Sequence, residues 1–184
     1  MDFLHYVQGI VILDQAGKRI FAKYYTKGDV SEPSKSLDAI EKQRQLECAA
    51  FQTIKDSRCN LSLSSDEDIM IIDQYTILFQ QGDDVVFMVV GHKEENELVL
   101  NTVLRTLIDA LKQVLNTPQL YTRLLLENYN GIVLTVDEMI DGGIILETDP
   151  TNIASEVVLH SRKAGSDVAY KAISTVNRYL RDNM

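Results

Sequence analysis

The side chains that could do chemistry are few and scattered along the chain. His5, His92 and His160 fall in separate stretches, none with Asp, Glu or Cys at the spacing a metal ion needs. Asp137-Glu138 offers adjacent carboxylates for acid–base work, but consecutive helical residues point about 100° apart and do not converge on one substrate. Asp141-Gly142-Gly143 resembles a phosphate-binding turn, yet its neighbours are acidic and would repel phosphate; helix capping accounts for the glycines. Cys48 and Cys59, eleven residues apart, would lie about 16 Å apart along one helix, so they read as free thiols with a packing role in a reducing compartment. No Gly-x-Gly-x-x-Gly, phosphate loop, Gly-x-Ser-x-Gly or His-Glu-x-x-His occurs. The residues therefore predict no catalytic, cofactor or metal site.

The frame around them is that of one globular domain. A chain of 184 residues with 45% hydrophobic and 24% charged residues buries enough surface to hold together without disulfides or metals as staples; a body over 1–162 and a helical tail over 163–184 are expected. The net charge of −9 argues against nucleic acid, which needs clustered Lys and Arg. Asp137, Glu138, Asp141, Glu147 and Asp149 lie in a stretch without Lys or Arg between Arg123 and Arg162, either a solvated face or a docking patch for a basic partner. Met1-Asp2-Phe3-Leu4-His5 lacks the features of a signal peptide, and the longest apolar run, Val85 to Val90, is far short of the roughly 20 residues that span a bilayer. Any membrane association is expected to be peripheral.

Periodicity places the elements. Residues 4–13 are apolar on both faces, as in a central strand, and after the turn at 14–17 the stretch Lys18–Tyr25 alternates as a strand nearer an edge. A helix is predicted over 34–58 with Leu37, Ile40, Cys48, Phe51 and Ile54 on its apolar side. Three strands follow, over 69–72, 75–80 and 85–91, as an antiparallel meander. From Lys93 the period becomes helical, with Leu98, Leu104, Leu107, Ile108, Leu111 and Leu115 on one stripe, and Thr117-Pro118 reads as the start of another helix. Asn130-Gly131 is by local rules a hairpin signal. Leu124, Asn128, Ile132, Val136 and Ile140 nevertheless recur every four residues, so one long buried helix over 121–140, capped at Gly142-Gly143, is predicted. Helices over 150–162 and 166–181 complete the chain; the last packs on its own body or docks elsewhere.

Particular stretches carry a resemblance. Residues 9–25, Gly-Ile-Val-Ile-Leu-Asp-Gln-Ala-Gly-Lys-Arg-Ile-Phe-Ala-Lys-Tyr-Tyr, resemble the opening hairpin of the small subunits of coat-adaptor complexes, sigma adaptins and coatomer zeta subunits alike. Glu94–Leu100, and above all Leu125–Gly131 and Val136–Pro150, are similar to the coatomer (COPI) zeta branch, whereas sigma adaptins share little beyond Val136-Asp137-Glu138-Met139. The resemblance spans roughly residues 5–160. It implies an α/β (α+β) longin-like fold: a five-stranded antiparallel sheet, β-β-α-β-β-β, with helices on both faces and C-terminal helices.

It also implies a non-catalytic coat subunit, without cofactor or small-molecule substrate, held by the coatomer gamma subunit. Such a subunit would reach the cytosolic face of Golgi membranes indirectly, through an Arf-family GTPase, and serve Golgi-to-ER and intra-Golgi transport. Sigma adaptins read acidic dileucine signals, but the Arg that receives the acidic residue corresponds to Ile20 here, which argues against that role. A longin-type regulator of a GTPase or SNARE is a further alternative. Exposure and family analogy together nominate Lys18, Lys23, Tyr24, Tyr25, Asp137 and Asp141 as partner-binding positions.

Overall fold

A computed structural model of the chain describes residues 6–25, 37, 39–57 and 67–160. Its elements are β1 (Val7–Asp14), β2 (Arg19–Tyr24), α1 (Ile40–Ser57), β3 (Asp68–Ile72), β4 (Tyr75–Gln81), β5 (Val85–His92), α2 (Glu97–Val114), α3 (Thr122–Glu127) and α4 (Tyr129–Met139). The short strands β6 (Ile140–Asp141) and β7 (Ile144–Ile145) come next, then a helix over 150–160, termed α5. The five long strands form one antiparallel sheet in the order β2-β1-β5-β4-β3. The expected architecture is therefore present, with β1 inside the sheet and β2 at its edge.

Strand alternation sends two sets of side chains to two helical layers. Ile10, Ile12, Phe21, Leu78, Phe87 and Val89 meet α2, α3, α4 and α5 in the larger core. Val11, Leu13, Ile77, Phe79, Val86, Met88 and Val90 meet α1 in the smaller one. Both faces of β1 and β5 are thus covered, which is why these strands read as continuous apolar runs rather than as an alternation.

Several expectations change at the helix ends. The helix after Lys93 begins only at Glu97, because the Asn96 side chain accepts the Leu98 N–H at 2.9 Å and caps it; Leu98 consequently lies outside the buried stripe and is exposed, while Leu100 takes the core position. No helix starts at Pro118: Thr117 Oγ1 donates to the Gln119 carbonyl and helical backbone resumes at Thr122, where Asp84 accepts the Thr122 N–H at 2.9 Å. On α1, Leu46, Ala50, Phe51 and Ile54 are buried, but Ile40 and Cys48 are exposed, so Cys48 has no packing role; Cys59 lies outside the described residues, as does the helix predicted over 166–181.

The long helix predicted over 121–140 is two helices. A four-residue repeat precesses about 40° per step around a helix, so over four steps its stripe would leave the sheet. The chain instead breaks at Asn128 (φ −116°, ψ 37°), whose side-chain amide donates to the Leu124 carbonyl, and α4 then buries Ile132, Thr135, Val136 and Met139 at ordinary helical spacing. Gly142-Gly143 is likewise a hairpin turn and not a helix cap. Both glycines have positive φ (55° and 88°), the two-residue turn that joins antiparallel strands, and it pairs β6 with β7.

Candidate partner interface

Edge strand β2 carries Lys23 and Tyr24, with Lys18 just before it and Tyr25 just after it, and the strand alternation divides them. Phe21, Lys23 and Tyr25 point toward the layer of α4. The Phe21 and Tyr129 rings stand 6.0 Å apart, Lys23 Nζ reaches Asp137 Oδ1 at 2.6 Å and lies 5.1 Å from the Tyr25 ring centroid, and the Tyr25 hydroxyl donates to the Ile140 carbonyl at 3.5 Å. Phe21 and Lys23 of β2 and Tyr25 just beyond it, at alternate positions, thus fasten α4 and its C-terminal end.

The opposite face of β2 fastens α1. Arg19 donates from Nε and Nη2 to the two carboxylate oxygens of Glu47, at 3.0 and 2.6 Å, and the Tyr24 hydroxyl donates to Oε1 of the same residue at 2.9 Å. The Glu47 side chain is only 7% exposed, and these donors satisfy its carboxylate oxygens. Arg19 joins this face because the register of β1 and β2 shifts between Ile12 and Leu13, setting Leu13 opposite Arg19 and leaving Ile20 as the extra residue, packed against the larger core.

Both tyrosines hold their protons more firmly than an ordinary phenol. For Tyr24 burial is the main cause, followed by the Glu47 carboxylate; for Tyr25 it is burial, followed by the negative charges of Asp137 and Asp141. Asp141 is exposed at the foot of the β6–β7 hairpin. That hairpin is tied to the start of β1: the Val7 N–H donates to the Gly143 carbonyl at 2.8 Å, and a Cβ at residue 143 would lie 2.8 Å from the Val7 carbonyl oxygen, so the position also requires glycine for space.

Lys23, Tyr25, Asp137 and Asp141 therefore form one cluster where β2, α4 and the hairpin meet. Tyr24 belongs to the other side of the sheet. Lys18 lies exposed in the β1–β2 turn, whose backbone Asp14 Oδ1 braces by accepting the Ala16 and Lys18 N–H groups, about 23 Å along the strand direction from Tyr25. Among the described residues no three His, Cys, Asp or Glu side chains are grouped as a metal would need, and no helix is long and apolar enough to cross a membrane.

The sequence reading missed a second surface, at the opposite edge of the sheet. Ile69 and Ile71 of β3 are 46% and 66% exposed, and Leu98 is 74% exposed. Its signal in the sequence was a strand apolar on both faces, which equally describes a buried strand.

A family model described as "Clathrin adaptor complex small chain" matches residues 6–164. Coatomer subunit zeta-1 of Homo sapiens is 38% identical over 165 residues, covering 90% of this chain and 81% of the relative. The chain belongs to the clathrin adaptor small-chain family. Within it, the chain groups with the coatomer zeta subunits: that of Saccharomyces cerevisiae is 34% identical over 156 residues, covering 84% of this chain and 78% of the relative. The adaptor small-chain fold also superposes on a chain of the "Homology model of the full-length AP-3 complex in a stretched open conformation", with a TM-score of 0.63 at 15% identity over 89% of this chain and 98% of that one. The stretches that resembled zeta build the start of α2, the junction of α3 and α4, and the run from the end of α4 through the β6–β7 hairpin to the start of α5.

Proposed function

We propose that the chain is a non-catalytic small subunit of the COPI vesicle coat that pairs with the coatomer gamma subunit and serves Golgi-to-ER retrieval and intra-Golgi transport. The observation that carries this reading is 34–38% identity to coatomer zeta subunits over most of the chain. On this reading the chain meets cytosolic Golgi membranes indirectly, through an Arf-family GTPase and the rest of the coat. The cluster of Lys23, Asp137 and Asp141 is the proposed contact surface for gamma, with Tyr25 holding it in shape from beneath; Lys18 marks a separate contact at the far end of β2, and Tyr24 acts indirectly by fixing Glu47.

The sigma-type alternative is disfavoured by geometry. Ile20 is packed against the core and the neighbouring Arg19 is engaged by Glu47, which leaves neither side chain to receive an acidic dileucine signal. A pull-down decides between the readings. The tagged chain is expected to retain a gamma trunk in preference to an adaptin trunk and to ignore an acidic dileucine peptide, and Asp137→Lys with Asp141→Lys is expected to weaken gamma retention at least tenfold. Preference for the adaptin trunk would overturn the assignment, and unchanged gamma retention by the double variant would remove this cluster from the interface.

A further inference from the structure

The exposed isoleucines of β3 are part of a groove. Thr76 pairs with Gly91 on one side and with Ile71 on the other, so Gly91, Thr76 and Ile71 form one row across β5, β4 and β3. Helix α2 lies over the first part of that row: a Cβ at Gly91 would come within 2.5 Å of Leu100 Cδ1. The same helix reaches β3 at its other end, where Arg105 donates to both carboxylate oxygens of Glu67 at 2.6 and 2.8 Å. Ile69 and Ile71 share one face of β3, and Glu67 lies immediately before the strand. Ile69 and Ile71 therefore run beside the outer side of α2, between the Arg105–Glu67 pair at one end and Leu98 at the other. The outcome is an apolar strip along a sheet edge, a position that folded proteins normally cover.

The rim of the strip is acidic. Asp73, Glu94 and Glu97 are exposed around it, against Lys93 and the Glu67-bound Arg105. A complementary occupant is apolar on one side and basic on another, and this chain contains such a segment outside the described residues. Residues 166–181 place Val168, Ala172, Val176, Tyr179 and Leu180 at helical spacing and carry Lys171, Arg178 and Arg181 against Asp167.

The segment is also within reach. Helix α5 is anchored at its start by Thr106 of α2, which donates to the Thr148 carbonyl, and its far end brings His160 within 3.6 Å of Glu138 on α4, two residues before the hairpin that binds Val7. Val7 pairs with Gly91, so α5 ends at the end of the sheet where Ile71 and Leu98 lie. Helix α4 is fastened to β2 through Asp137, and from β2 to β3 is four strand spacings, about 19 Å. Residues 161–166 can span about 20 Å.

We propose that residues 166–181 dock as an amphipathic helix in the groove between α2 and β3 of their own chain, laying Val168, Ala172 and Val176 on Ile69, Ile71 and Leu98. This inference does not depend on the identity of the coat partner.

Hydrogen exchange on the full chain tests it. Amides of 68–72 and 97–102 are expected to exchange at least tenfold faster in the Val168→Asp, Val176→Asp double variant than in the unaltered chain, with strands β1 and β5 unaffected. A second measurement keeps the test independent of any loss of folding in that variant. In a Cys48→Ser, Cys59→Ser background, Ile71→Cys is paired in turn with Val168→Cys, Ala172→Cys and Val176→Cys. At least one pair is expected to form an intramolecular disulfide under mild oxidation, while pairing with Ser174→Cys forms none. Equal exchange in both chains, disulfides only between two molecules, or groove protection that appears only when a gamma trunk is added would each overturn the proposal, the last two by giving the groove to another occupant.

Discussion

The two edges of the sheet are treated differently. At β2, side chains on both faces are spent inside the chain: Lys23 on Asp137 and Tyr25 on Ile140 toward α4, Arg19 and Tyr24 on Glu47 toward α1. At β3, α1 packs on Met70 while Ile69 and Ile71 on the other face remain exposed, with the Arg105–Glu67 pair as the link to α2. An edge that is fastened on both sides can present charges in a fixed arrangement, whereas an edge with uncovered apolar side chains gains stability only when something covers it. A charged surface held in fixed shape and an uncovered apolar strip thus lie at opposite edges of one sheet.

Removing the buried member of the β2 network should have the largest effect. Glu47→Ala leaves the Arg19 guanidinium and the Tyr24 hydroxyl without their acceptor, and a loss of about 2–4 kcal/mol is expected, reduced from the fully buried case because Arg19 is 30% exposed. Urea titration measures it; a loss below about 1 kcal/mol would show that β2 is not held to α1 in this way. Next in size is an alkaline effect. Tyr24 and Tyr25 ionise at higher pH in the folded chain than in the unfolded one, so their contribution is intact below about pH 10 and is lost as pH rises, by about 1 kcal/mol per pH unit for each buried phenol. Tyr24→Phe combined with Tyr25→Phe should flatten that slope in denaturation curves taken between pH 9 and 11.

The exposed charges should matter less to folding. Lys23→Ala or Asp137→Ala is expected to cost under about 1 kcal/mol, because both partners are substantially solvated; a larger loss in thermal unfolding would mean the pair holds α4 in place by itself. The smallest change belongs to the β3 edge. The Arg105 guanidinium holds the Glu67 carboxyl below the usual carboxylate range, so the pair stabilises the fold above the ordinary glutamate pKa and is lost as pH falls through the lowered value. Comparing Glu67→Gln with the unaltered chain between pH 5 and 3 should show a difference of a few tenths of a kcal/mol that vanishes at the acid end.

The strands and their succession along the chain were legible because β1, β4 and β5 carry dense β-branched and aromatic runs bounded by turn residues, whereas the pairing of β1 with β5 is long-range and leaves no local signal. The sides of β2 were legible as an alternation from Phe21 onward, but the bulge at Ile20 carries Arg19 to the side of Tyr24, which a strict alternation does not show, and the roles of the residues were not legible. Lys23 and Tyr24 are neighbours in sequence, and only the layers above and below the sheet decide that one meets Asp137 and the other Glu47. The break at Asn128 was hidden by a repeat of four that imitates a helix stripe, and the Gly142-Gly143 turn by an acidic helical stretch that leads into it. Nor could Ile69 and Ile71 be told from buried residues, since exposure at an edge depends on how far α2 extends over the sheet.

The central claim, that this small chain is completed by a coat partner, is tested most directly by co-expression with a coatomer gamma trunk, size-exclusion chromatography and light scattering of the eluted species. A single species with the mass of one chain plus one trunk is expected. Separate elution of the two, with this chain at its own mass of 20.8 kDa, would contradict it.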